Sequence, residues 1–249
     1  MNSLKVRIGR LEEWLGYAQP DIVCLQETKL ADAAFPGMSV AQIGYEWAHH
    51  GNGRWNGVAI LSKVGLEDVR TGFDDGLDDE GSESRAITAS CGGIQVTSVY
   101  VPNGRSPADA QYELKLRWLD RLATFIDTKA SPLEPVAVCG DFNIAPTDAD
   151  VYNPKAFVGA THVSSQERKR LQALEEWGLV DVFRRIWPQE KLYSWWDYRA
   201  GNFHKHLGMR IDLILLTEVL AEAATFALVD RNARKGESPS DHAPLFVDV

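Results

Sequence analysis

Apolar and polar positions divide this chain into short strands and a few amphipathic helices. Leu11, Trp14, Leu15 and Ala18 recur at helical spacing, which predicts a helix from Arg7 to Tyr17. Ile22-Val23-Cys24-Leu25 reads as a buried strand, as do Gly57 to Leu61, Ile94 to Val101 and Pro135 to Cys139. Ser106 at N-cap with Pro107 at N1 predicts the start of a helix that carries Leu119, Leu122 and Ile126 on one face. A second helix is expected after Ser164, with Glu167 three residues on and Gly178 closing it. Ile211 to Leu216, Ala223 to Val229 and Leu245 to Val249 read as the last strands. Several strand pairs are too close in sequence for a helical crossover. The pattern therefore predicts mixed sheets with external helices rather than a doubly wound parallel sheet.

Composition narrows the class without naming a reaction. At 249 residues, with no repeat or low-complexity linker, residues 1–249 are expected to form a single domain. No apolar stretch approaches the roughly 18 residues of a membrane span, and the first residues lack the apolar core of a signal peptide. Cys24, Cys91 and Cys139 lie in or beside strand-like runs, as expected of free thiols in a reducing cytoplasm. A net charge of −9 excludes DNA binding by bulk charge, but not by a local basic surface. The acidic run from Asp74 to Glu80 reads as a solvated loop. Arg117/Arg121, Lys169/Arg170 and Arg231/Arg234/Lys235 read as solvated basic faces, and Gly51 to Gly57 as a turn. His204 and His206 read as exposed loop histidines.

Chemistry concentrates where apolar runs end. Glu27 follows the strand that ends at Leu25, and Asp141 and Asn143 follow Val136 to Cys139. Asp212 sits at the start of another apolar run, and Asp241-His242 precedes the last. Tyr100, Asn103 and Arg105 close the central strand within six residues. Any one of these motifs could be a turn cap. Oxygen ligands without cysteine suit Mg²⁺ or Mn²⁺ rather than zinc. Amide, phenol, guanidinium and imidazole groups orient phosphate and stabilise its developing charge. The set reads as metal-assisted hydrolysis of a phosphate ester.

On these motifs the chain resembles the exonuclease III family of bacterial abasic-site endonucleases, within the DNase I-like endonuclease/exonuclease/phosphatase superfamily. Further anchors are Trp55 to Ile60, Gly140 to Asp148, Ser194 to Arg199, Met209 to Leu213 and Pro239 to Pro244. The resemblance implies an α+β fold, a four-layer α/β sandwich of two packed mixed β-sheets flanked by helices. It makes Glu27 the main metal ligand, with Asn2, Asp141, Asn143, Asp241 and His242 around the metal. Asp141 would deprotonate the attacking water, Asn143 would donate to the transition-state oxygen, and Asp212 would polarise His242 against the phosphate. Tyr100 would hold the phosphate or act as phenolate. Asn103, Arg105 and Arg210 would touch DNA, and Trp195, Met209 and Ile211 would line a pocket for a base-less sugar.

The implied reaction is cleavage 5′ to an abasic site, leaving a 3′-hydroxyl, with 3′-to-5′ exonuclease and 3′-phosphatase side activities. The implied partner is double-stranded DNA with abasic sites or 3′ ends. The implied setting is a monomer in the bacterial cytoplasm, used at the nucleoid and not at a membrane. Family members begin earlier, with a strand ending in Trp-Asn-x-Asn whose second asparagine matches Asn2. The first strand is thus expected to be missing, through a misplaced start or through true shortening that weakens the metal site. A non-catalytic DNA-binding relative and a small-molecule or lipid phosphodiesterase are the alternative functions.

Overall fold

The computed structural model describes residues 1–77 and 83–249, which form two compact units. The first comprises Met1–Tyr100, Ala137–Gly140 and Ala233–Ser240. It opens with α1 (Leu4–Ala18), which buries Leu4, Leu11, Trp14 and Leu15 on one face. β1 (Ile22–Gln26), β2 (Glu46–His50) and β3 (Val58–Ser62) form a three-stranded sheet with β3 in the centre. All five β3 residues are buried, as expected of a strand with neighbours on both edges. β4 (Glu67–Thr71), β5 (Ala86–Cys91) and β6 (Ile94–Tyr100) follow in sequence order in a second sheet, and β7 (Val136–Asp141) lies beside β6. β1 and β3 approach β5 and β6, and Gln26 Nε2 donates to Ser98 Oγ across this interface at 3.2 Å. The short α2 (Gly37–Gln42) packs on β2.

The second unit comprises Val101–Val136, Asp141–Asn232 and Asp241–Val249. Its long helix α3 (Ala110–Lys129) packs against α4 (Ser165–Trp177). β8 (Leu179–Asp181) pairs with β9 (Asp212–Thr217), and β10 (Phe226–Val229) with β11 (Leu245–Asp248), both antiparallel. β11 also approaches β9, and α5 (Val182–Ile186) and α6 (Glu218–Ala221) pack against these strands. Sheets flanked by helices are the architecture predicted.

The elements depart from expectation in instructive places. The helix expected after a Ser106 cap begins three residues later, at Ala110, and Asp109 is its cap, accepting from Gln111 N at 2.9 Å. Ser106 O instead accepts from Asp109 N at 2.9 Å, so Ser106-Pro107 forms a turn, a role Pro suits as well as the first helical position. The Ser164–Glu167 capping box and the Gly178 stop are present as predicted. The strand expected from Ala223 starts at Phe226, because α6 and the turn after it take the preceding residues. β4 escaped notice because all five of its residues are exposed, so no apolar alternation marks it. Part of the acidic run from Asp74 to Glu80 lies outside the described residues. Cys24, Cys91 and Cys139 are free thiols. Among the described residues, no helix is long and apolar enough to cross a membrane.

Candidate active site

In the second unit β7 ends on Asp141, and the chain turns through Asn143, which takes the left-handed backbone (φ 51°). The turn is fixed by its own side chains. Asp141 Oδ1 accepts from Asn143 N at 2.9 Å, and Asn143 Nδ2 donates to Val101 O at 2.9 Å and to Asp141 Oδ2 at 3.2 Å. Asn103 Nδ2 donates to Asn143 Oδ1 at 3.2 Å, which links the segment after β6 to the segment after β7. His242 lies beside this turn. Its Nδ1 donates to Asp212 Oδ2 at 2.8 Å, and its Nε2 stands 3.8 Å from Asp141 Oδ2.

Donor atoms of Asp141, Asp212 and His242 all lie within 4.8 Å of one another. Burial alone would push the His242 imidazole down, but the carboxylates of Asp212, Asp141 and Asp241 outweigh it and raise the pKa to about 9. His242 is therefore a cation at neutral pH, suited to meet a phosphate oxygen and unsuited, while charged, to ligate a metal.

The neighbouring Asp241 does not share the His242–Asp212 pairing. Its Oδ2 accepts from Trp195 Nε1 at 3.1 Å and its Oδ1 lies 3.5 Å from the Tyr198 hydroxyl. Trp195 thus orients a carboxylate as well as presenting a ring face. Met209 and Ile211 are buried with Ala145 and Val151, and Trp195 packs against them, so they form an apolar floor beneath the indole.

Arg210 is a correction. It is fully buried, its guanidinium forks onto Asp181 at 2.7 and 3.0 Å, and its Nε donates to Asp150 at 2.7 Å. A guanidinium spent on two carboxylates is not available to DNA. Arg105 is exposed, and its Nη1 lies 3.7 Å from Asp109. His206 is another departure, since it is half-buried, its ring lies tilted against Tyr193 with centroids 4.7 Å apart, and its Nε2 reaches Lys191 O at 3.0 Å.

Three residues behind the Asp141 turn escaped sequence reasoning. Lys115 and Glu167 form an ion pair with both side chains fully buried, and Lys115 Nζ donates to Asn143 O at 2.6 Å. His162 Nδ1 donates to the same carbonyl at 2.6 Å. Burial, reinforced by the Lys115 ammonium, pushes His162 down to about 4, so it is neutral at physiological pH. Glu167 was visible in the sequence only as a helix cap. Nothing in its spacing signals a buried partner from α3.

The first unit holds the remaining polar residues. Glu27 follows β1 in the left-handed region (φ 53°). The Tyr100 hydroxyl donates to Glu27 Oε1, and the Lys29 ammonium lies 3.8 Å from Glu27 Oε2 and donates to Asn2 Oδ1 at 2.8 Å. The Arg85 guanidinium lies 4.7 Å from the Tyr100 ring centroid and donates to Tyr100 O. The oxygens of Glu27 and Asn2 already hold a positive charge between them. Glu27 and Asn2 within this unit, and the Asp141–Asp212–His242 cluster within the second, are each oxygen-rich and free of thiolate, donor types that suit a hard divalent cation.

Comparison with known proteins agrees with this chemistry. The model of the endonuclease/exonuclease/phosphatase family matches residues 1–242. The exodeoxyribonuclease III of Haemophilus influenzae is 34% identical over 260 residues, covering 100% of this chain and 97% of that protein. The structure of an AP endonuclease from Archaeoglobus fulgidus aligns with a TM-score of 0.95 and 37% identity, covering 99% of this chain and 95% of that one. The 3′ phosphatase NExo of Neisseria, bound to a product DNA hairpin, aligns with a TM-score of 0.94 and 36% identity, with coverages of 99% and 95%.

Proposed function

The chain belongs to the endonuclease/exonuclease/phosphatase family as a phosphodiesterase-type hydrolase, and we propose that its substrate is damaged DNA. In this reading it hydrolyses the phosphodiester 5′ to an abasic site and leaves a 3′-hydroxyl, with 3′-to-5′ exonuclease and 3′-phosphatase activity on the side. The observation that carries the reading is the line Asp212–His242–Asp141 beside an amide-locked Asn143. The similarity of the whole chain to an exodeoxyribonuclease III, an AP endonuclease and a DNA-bound 3′ phosphatase supports it.

Each residue has a task that its surroundings allow. Asp141, held by the Asn143 amide, accepts a proton from the attacking water. The water oxygen bonds to phosphorus as the bond to the 3′ oxygen breaks, and that oxygen takes a proton from solvent to leave as the 3′-hydroxyl. His242, kept charged by Asp212, donates from Nε2 to a non-bridging oxygen, and Asn143 steadies the charge that develops there. Glu27 and Asn2 would hold Mg²⁺ or Mn²⁺, which would supply positive charge to the reaction. Tyr100 fixes the Glu27 carboxylate through its hydroxyl.

Asn103 and the exposed Arg105 contact the DNA backbone, and Trp195 covers the extruded sugar above Met209 and Ile211. The match over 1–242 supports a single endonuclease/exonuclease/phosphatase domain over residues 1–249, and in this reading the protein works as a cytoplasmic monomer on double-stranded DNA. The test is a duplex with one abasic site, incubated with Mg²⁺ and with EDTA. We expect Mg²⁺-dependent incision on the 5′ side and slower release of phosphate from a 3′-phosphorylated end. Metal-independent incision, or incision on the 3′ side, would sink the reading. Faster 3′ release than incision would make end trimming the main activity.

A further inference from the structure

Behind the Glu27 loop lies a hydrogen-bonded chain that the proposed reaction does not use. His49 Nδ1 pairs with Asp32 Oδ1 at 2.8 Å, and His49 Nε2 lies 2.8 Å from Thr28 Oγ1. A carboxylate on Nδ1 fixes the proton there, which makes Nε2 the acceptor and Thr28 the donor. Asp32 Oδ1 also accepts from Gly51 N at 2.7 Å. The His49 side chain and Thr28 are fully buried, and the Phe35 ring stacks on the imidazole at 4.6 Å. Burial pushes the His49 pKa down against the pull of Asp32, so the ring is neutral at physiological pH.

A buried histidine with both nitrogens satisfied is common and needs no function. What sets this one apart is the residue at the end of the chain. Thr28 stands between two left-handed residues, Glu27 (φ 53°) and Lys29 (φ 55°). A non-glycine residue in that region is strained by its Cβ, so the loop persists only if its neighbours hold it. They do so from every side. Thr28 N donates to Gly57 O at 3.1 Å and Lys29 N to Asn56 O at 2.9 Å. Ser3 N donates to Glu27 O at 2.7 Å and Leu4 N to Thr28 O at 2.9 Å. These bonds fix the backbone, and the Thr28 hydroxyl adds a fully buried side-chain anchor beside those of Glu27 to Tyr100 and of Lys29 to Asn2.

The glycines of the Gly51–Gly57 segment make room for it. A Cβ on Gly57 would lie 2.1 Å from Thr28 Oγ1, and one on Gly51 would lie 2.5 Å from His49 Cε1. The segment that reads as a plain turn in the sequence is therefore shaped around both ends of the Thr28–His49 bond.

We infer that the Asp32–His49–Thr28 chain is a positioning device that aims the Glu27 carboxylate at its divalent cation. The inference rests on the proposed role of Glu27. His49 and Thr28 touch neither the cation nor the DNA. They act through the backbone between Glu27 and Lys29, in the way groups behind a metal ligand orient it.

The decisive variant is Thr28→Val, which keeps the β-branched shape and removes only the hydroxyl. Binding of Mn²⁺ alone is measured by calorimetry, and amide exchange is followed over residues 26–30. Folding is checked by circular dichroism, and cleavage is titrated with Mg²⁺ in parallel. We expect a folded variant with Mn²⁺ affinity weakened about 10-fold, the lower end for loss of a group behind a metal ligand. Exchange at Thr28 and Lys29 should accelerate. Saturating Mg²⁺ should restore most of the turnover. His49→Gln should weaken Mn²⁺ similarly, and the double variant should be no worse than the worse single, because both cut one chain.

Unchanged Mn²⁺ affinity and exchange in Thr28→Val, with a wild type that cleaves, overturn this inference and leave the proposed function standing. Additive losses in the double variant also overturn it. If His49→Gln does not fold, Thr28→Val decides alone. A wild type that binds no Mn²⁺ and cleaves nothing overturns both.

Discussion

Asn143 is constrained through its backbone and its side chain at once. Its amide N–H, side-chain amide and carbonyl are engaged by Asp141, Val101, Asn103, Lys115 and His162. Both side-chain N–H groups are engaged by Val101 O and Asp141 Oδ2, so Asn143 meets charge on phosphate by exchanging the longer 3.2 Å bond to Asp141 while its other bonds keep it in place. Asn143→Ala should therefore fold normally and lose turnover on an abasic-site duplex by about 10²–10³-fold, the loss seen when one such donor is removed. Near-normal turnover by gel assay would show that the amide only shapes the turn. The sequence placed Asn143 beside Asp141 but gave no sign of the buried Lys115–Glu167 pair behind it. Lys115 lies on α3 and Glu167 on α4, and no spacing rule links residues on two separate helices.

At the scale of elements, a buried network of charges ties β8, β9 and α5 to the loop that carries Asp150. Arg210 pairs with Asp181 and Asp150, and Arg184 reaches Asp150 as well. Burial would raise the Asp150 pKa, but the two guanidinium groups outweigh it and hold the carboxyl below its usual range. Removing one partner leaves uncompensated charge in the interior. Arg210→Ala should thus cost about 3–5 kcal/mol, the range for breaking a buried pair. Urea denaturation would measure this, and DNA affinity of the folded fraction should stay unchanged. A variant of normal stability with weakened DNA binding would restore Arg210 to the DNA contacts. The mistake was natural, because a sequence shows an arginine beside an apolar strand but not which carboxylates have reached it.

For the whole molecule, charge sets the terms of DNA binding. A net charge of −9 repels a polyanion, so affinity has to come from a few local contacts and the bound cation. Intact circular duplex, which offers neither abasic sites nor ends, should bind at the weak end of the about 10⁻⁴–10⁻⁶ M range for non-specific complexes. Fluorescence anisotropy at physiological salt tests this. A Kd well below about 10⁻⁶ M would mean a basic surface that the composition hides.

By itself the sequence determined the helix bounded by Ser164 and Gly178, the buried strands at Ile22, Val58 and Val136, and the polar residues at their ends. Those features are local. Capping boxes, apolar runs and the carboxylates that follow them depend on a few consecutive residues. Tertiary structure alone decided which groups meet. It turned His242 toward Asp212 rather than its neighbour Asp241, and withdrew Arg210 into the interior. It also joined Asp32, His49 and Thr28 across segments that nothing in the sequence connects. Pairing of this kind is set by how distant segments pack. Packing then sets the charge state as well, because burial alone would lower the His242 imidazole, while the carboxylates brought around it by Asp212, Asp141 and Asp241 raise it to about 9.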